Sequence, residues 1–139
     1  MKTITPYLVK FALIAALLTI VFRYFLSFGL QNNNLTLVLA SSILYGAAMF
    51  CSGWYFGYKD GEYLPIFDVG FRFHLATFIV HNLISETWFL LKLQSNKENI
   101  NTVHLTLLIW LLFLIIHYIL YLYVKRKTIK GLDKNNLFE

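Results

Sequence analysis

Within the largely apolar stretch Phe67–Leu93 stand His74, His81, Asn82, Ser85 and Glu86, with Asp68 and Arg72 near its start. Ionisable groups deep in such a segment normally face a protein interior or a water-filled cavity, and they have partners. The chemistry these residue types offer is proton exchange, ion coordination or imidazole ligation. At about 100° per residue, His74, Thr77, His81, Ser85 and Trp88 share one helical face, whereas Asp68, Arg72, Asn82 and Glu86 lie on another. Asp68 and Arg72 form an i, i+4 pair at the segment boundary, where they can reach water.

Depth along the segments names partners. Arg23 lies seven residues before the end of an apolar segment at 7–30, and Glu86 six before the end of one at 67–92. They are expected to meet as a buried ion pair that fixes helix register; the functional alternative is an ion or proton relay using Glu86 and His104. His104 lies within reach of the same level, and His81 and Asn82 lie near mid-segment. His74 and His117 are each seven residues from the opposite ends of their segments, 67–92 and 101–124, which antiparallel packing makes level. Two level imidazoles on facing helices could hold a haem iron or a transition metal, or share a proton; each could equally be a hydrogen-bonded interior histidine. A two-haem arrangement fits poorly, because His104 and His117 are thirteen residues apart and His74 and His81 only seven.

The elements that must position these groups are four spans, about 7–30, 35–57, 67–92 and 101–124. Each is long enough to cross a hydrocarbon core of about 30 Å. The sequence predicts an all-α integral membrane protein, with four antiparallel transmembrane helices in one bundle occupying 1–124 and a basic tail at 125–139. The connections QNNN, YKDGEYLP (with a turn at Asp60-Gly61) and QSNKENIN are short and polar, so neighbouring helices run antiparallel. Composition agrees: 58% of the 139 residues are hydrophobic, only 14% are charged, and mean hydropathy is +0.62. The first span is too long for a signal-peptide core and lacks a small-residue cleavage site.

Basic residues orient the chain. With both termini cytoplasmic, the inner side holds Lys2, Lys10, Lys59, Arg72 and the tail residues Lys125, Arg126, Lys127, Lys130 and Lys134, and the outer side only Lys92 and Lys97. This arrangement satisfies the positive-inside rule in a cell (inner) membrane. The tail could bind anionic lipid head groups or a cytoplasmic protein. Its confinement to one end argues against nucleic acid as the reason for the net charge of +5.

Small residues mark helix interfaces in lipid. Ala12, Ala16, Thr19, Arg23 and Ser27 form one stripe on the first span; Ser42, Gly46, Gly53 and Gly57 form another on the second, with a GxxxG at its end. Packing within the bundle is the plainer reading and pairing with a second protomer the sharper one. Two polar sides on the third span point either to an oligomer or to one face meeting the first span and the other the fourth.

The single Cys51 excludes an internal disulfide and a paired-cysteine motif. No nucleophile–histidine set, HExxH, P-loop or GxGxxG motif occurs. The expectation is therefore a non-enzymatic, self-associating membrane protein that acts as a channel, a transporter or a pore. The alternatives are an anchoring subunit for a cytoplasmic partner and a haem- or metal-binding redox protein using His74 and His117.

Overall fold

The computed structural model describes residues 4–62, 64 and 66–130, with the side chains of 66, 67 and 127–130 outside the description. It contains four helices: α1 (Pro6–Gln31), α2 (Leu35–Gly61), α3 (Ile66–Leu90) and α4 (Ile100–Lys130). No strand occurs among the described residues. Three helices, α1, α2 and α4, are long and apolar enough to cross a membrane. The third, 25 residues long, carries Asp68, Arg72 and Glu86 and is not among them.

Local chemistry sets the boundaries. Thr5 caps α1 by accepting from the Leu8 N–H at 3.1 Å, followed by Pro6, whose missing donor costs nothing at that position. The hairpin between α1 and α2 turns on Asn33, at φ 53°, and Asn34 then caps α2 through the Leu37 N–H at 3.0 Å. Gly29 lets the hairpin close: a Cβ there would lie 2.9 Å from Val38 Cγ2. Asp60-Gly61, expected as a turn, instead ends α2. The reason is tertiary: the Asp60 carboxylate is 1% exposed and accepts from Thr5 Oγ1 at 2.6 Å, beside the positive end of α1. At the other extreme α4 runs on to Lys130, so Lys125 and Arg126 are helical. Residues 131–139, including Lys134, lie outside the described residues.

Packing places α1 and α3 at the centre. Helix α1 lies against α2 and α3, whereas the α4 backbone approaches α3 alone. The small apolar core joins Phe11 and Ala15 of α1 to Val69 and Phe73 of α3, with Phe11 and Phe73 rings 4.8 Å apart. The buried stripe of α1 is Phe11, Ala15, Thr19, Arg23 and Ser27. It is rotated from the expected one at its start, with Ala12 and Ala16 only half-buried, because Phe11 fills the contact with α3. Outward faces carry large apolar side chains such as Leu13, Leu17, Ile43, Leu44 and Phe113, which suits hydrocarbon surroundings.

Candidate functional site

Two polar systems tie the helices together. The first has two halves along α3, one shared with α4 and one with α1 and α2. His74 of α3 and His117 of α4 meet Nδ1 to Nδ1 at 2.9 Å, and Trp110 Nε1 donates to His74 Nε2 at 2.9 Å. Two helical turns further along α3, His81 Nδ1 contacts Tyr45 Oη of α2 at 2.9 Å, and Tyr45 contacts Thr19 Oγ1 of α1 at 3.1 Å. Thr19 in turn donates to the Ala15 carbonyl at 2.7 Å.

Donor and acceptor counting assigns the protons. An indole N–H can only donate, so His74 Nε2 is an acceptor and neutral His74 carries its proton on Nδ1. That Nδ1–H donates to His117 Nδ1, which leaves the His117 proton on Nε2. In the second half, the one Thr19 proton goes to Ala15, so Tyr45 donates to Thr19 and accepts from His81 Nδ1–H. The free acceptor of His81 is then Nε2. Trp110 stands between the halves, its ring centroid 6.4 Å from His74 and 5.2 Å from His81.

The haem and metal expectation meets this same geometry. Both His74 nitrogens are engaged within the protein and His117 Nδ1 accepts from it, with ring centroids 5.2 Å apart. A macrocycle between axial imidazoles would need an open gap where the direct hydrogen bond runs. The contacting residues do not fit a haem. Among the described residues no group of three metal-ligating side chains occurs either.

The second system closes the end that bears the α1–α2 and α3–α4 connections. The expected Arg23–Glu86 pair does not form. Arg23 Nη2 donates instead to Glu98 Oε2 at 2.7 Å, with side chains only 5% and 6% exposed. Glu98 comes from the α3–α4 connection, which folds back over α1. Its other oxygen accepts from Ser27 Oγ at 2.6 Å and from the Ser95 N–H at 2.9 Å, while Trp88 Nε1 donates to Ser27. Gln31 Oε1 accepts from Ser95 Oγ, and Lys97 Nζ donates to Asn33 Oδ1. Three donors on one carboxylate, within reach of α1, outcompete the more distant Glu86.

Glu86 turns toward α4, where its carboxylate lies 3.1 Å from His104 Nε2; both side chains are about half exposed on the outer face. Asn82 is buried and donates to the Phe78 carbonyl one turn back. The fully buried Ser85 carries an Oγ without a partner among the described residues.

The second-span stripe divides. A Cβ added at Gly53 would lie 3.7 Å from the Phe11 ring and one at Gly57 3.6 Å from Val69 Cγ1, so both glycines face neighbours inside the chain. Ser42 and Gly46 are exposed, and a Cβ on Gly46 would meet nothing within 4 Å. Between α2 and α3 lies an apolar groove of about 770 Å³, with Gly53, Gly57 and Gly70 in its wall and Phe50 and Trp54 on its rim. His74 and Thr77 face it from α3.

Three partners went unseen in the sequence. Thr19 and Tyr45 sit at mid-helix like His81, so depth matching among hydroxyls as well as charges would have found them. Glu98 had a local signal, since SNKE (95–98) fits the S-x-x-E capping pattern, and the Ser95 N–H to Glu98 bond is its reciprocal half. No known protein family, curated protein or solved structure matches this chain.

Proposed function

We propose that this chain is a small, non-enzymatic multi-pass inner-membrane protein that assembles with itself and moves protons, alone or coupled to a solute, through its polar middle. One observation carries the reading: two hydrogen-bonded sets of side chains, one joining α3 to α4 and one joining α1, α2 and α3, lie along the same helix α3 on either side of Trp110. A helix bundle serving only as an anchor does not need two such hydrogen-bonded sets, His74–His117–Trp110 and His81–Tyr45–Thr19, in that setting, where polar groups are expensive.

In this reading α3 makes a fourth crossing. Its 25 residues span about 37 Å at 1.5 Å per residue, and short connections join it to α2 and α4, which cross on either side of it. Both termini and the α2–α3 connection are cytoplasmic, on the argument of the basic flanks. Residues 1–124 form the membrane domain, and the tail from Lys125 rests on anionic lipid. Self-association is supported by the half-exposed Glu86–His104 pair, which a second copy would cover better than lipid, and by the bare Ser42–Gly46 face of α2.

The test is reconstitution into liposomes with a pH-sensitive dye inside, together with size determination by light scattering. An imposed pH gradient should drive proton flux that His81→Phe abolishes, and the particle should exceed one 16.3 kDa chain plus its micelle. A monodisperse monomer without flux would leave the anchoring-subunit reading in its place.

A further inference from the structure

We propose that the His74–His117 pair is a proton-binding site, and that loading it releases Trp110, the group that separates the two halves of the polar system. The inference deepens the transport reading and rests on it for the flux arm of its test.

The argument is one of donors and acceptors. In the neutral arrangement every contact is satisfied: Trp110 Nε1–H donates to His74 Nε2, and His74 Nδ1–H donates to His117 Nδ1. One added proton cannot be placed on the pair without breaking a bond. On His117 Nδ1 it would face the His74 Nδ1–H and break the histidine pair. On His74 Nε2 it would face the indole N–H and break only the tryptophan bond. The second placement wins, because the His74 imidazolium then donates through Nδ1 to His117 in a charge-assisted bond, about twice as strong as a neutral one. The proton therefore settles on His74, and Trp110 loses its acceptor.

Other charges around the pair do not provide an alternative acceptor. On α3, Asp68 is 2.7 Å from Arg72, and His81, whose Nε2 is free, does not line the groove that His74 faces. On α4, Tyr118 and Tyr121 lie against Phe71, which itself covers His117. Across the groove α2 offers Tyr58 and Glu62, whose carboxylate lies 3.8 Å from the Lys59 ammonium, and α1 offers Phe11. Arg23 of α1 is held by Glu98.

Release of Trp110 opens the way to His81. Seven residues separate His74 from His81, about 10.5 Å along a helix axis at 1.5 Å per residue. Water molecules at hydrogen-bond spacing of roughly 2.8 Å would bridge that gap with two or three members. The His74 Nε2 proton then passes through this water to His81 Nε2, the free acceptor. His74 returns to neutral, Trp110 can donate again, and His81 carries the charge with its Nδ1–H still on Tyr45. Trp110 cannot relay the proton itself, since its nitrogen accepts nothing. It acts as a gate.

The experiment uses the full chain, labelled with ¹⁵N at histidine and tryptophan, in lipid bilayers. At neutral pH His74 should carry its proton on Nδ1 and His117 on Nε2, and the Trp110 indole signal should report a hydrogen bond. On acidification that bond should be lost at the same midpoint at which His74 becomes charged. A neutral His74 protonated on Nε2, or a Trp110 signal that stays put while His74 charges, overturns the proposal. Trp110→Phe keeps the ring and removes the donor, and should raise proton flux at neutral pH by about threefold to tenfold, the worth of one ordinary hydrogen bond. Unchanged flux in a folded Trp110→Phe protein also counts against the gate. A wild-type protein with the coupled titration and no flux at any pH would instead remove the transport reading and leave the switch.

Discussion

Arg23 and Glu98 show how a residue's role follows from its partners rather than from its own type. Both are almost fully buried, and each is the other's charge partner at 2.7 Å. Removing one member of such a pair typically costs about 3–5 kcal/mol, because the survivor is left uncompensated in a poor solvent for charge. Glu98→Gln and Arg23→Gln should each lower thermal stability in detergent by that order, with the double variant recovering part of the loss. Glu86, half exposed beside His104, belongs to a different regime, where exposed pairs are worth about 0.2–1 kcal/mol. Glu86→Gln should therefore barely shift the transition. A double-mutant cycle in which Arg23 couples to Glu86 and not to Glu98 would show that the fold-back of the α3–α4 connection is wrong.

At the scale of elements, the joints between helices are few and chemically distinct. Helices α1 and α2 join through an asparagine-capped hairpin and the close approach at Gly29, and α4 joins α3 largely through His117, Trp110 and the rings around Phe71. Glycines on the same helices differ in what surrounds them. At Gly29 a methyl group would press on Val38 Cγ2, a stiff β-branched side chain, whereas at Gly46 it would meet nothing. Gly29→Ala should destabilise despite the better helix propensity of alanine, since overpacking costs typically about 1–3 kcal/mol. In the single chain Gly46→Ala should stabilise by roughly 0.5–1 kcal/mol, because only the propensity term remains. Thermal unfolding of the two variants should move in opposite directions, and a shared sign would contradict the hairpin geometry.

Among the described residues, eight buried side chains are polar or charged against five that are apolar, and many large apolar side chains lie outward, a distribution unlike that of a water-soluble domain. The basic flanks then argue for one orientation in the bilayer. Cysteines placed in the 31–34 and 93–100 connections of a Cys51→Ser background should react with an impermeant thiol reagent in intact cells. Those placed at 58–62 or in the tail should react only after the cells are opened. External labelling of the tail would reverse the topology, and with it the direction in which a proton passing from His74 to His81 would travel.

How much of this was legible in the residues depends on which physical signal each feature leaves. The four helices could be read because long apolar runs are punctuated by QNNN, by a proline-bearing connection and by a polar octet. The level placement of His74 and His117 could be read too, because helical rise converts sequence distance into depth. Rotation about each helix axis could not. In a water-soluble protein the apolar stripe marks the buried face, but here apolar residues cover every side, so the period is nearly silent about azimuth. Contact with Phe73 turned Phe11 and Ala15, rather than Ala12 and Ala16, into the core. The same silence hid the choice of Glu98 over Glu86, since a connection folding back on its own helix ends is a matter of chain path and not of depth. Asp60 changed from turn to buried helix end only because Thr5 and the start of α1 arrive beside it. Length and polarity along the chain decided what the elements are. Side-chain contacts between helices, summed only in three dimensions, decided which way each one faces.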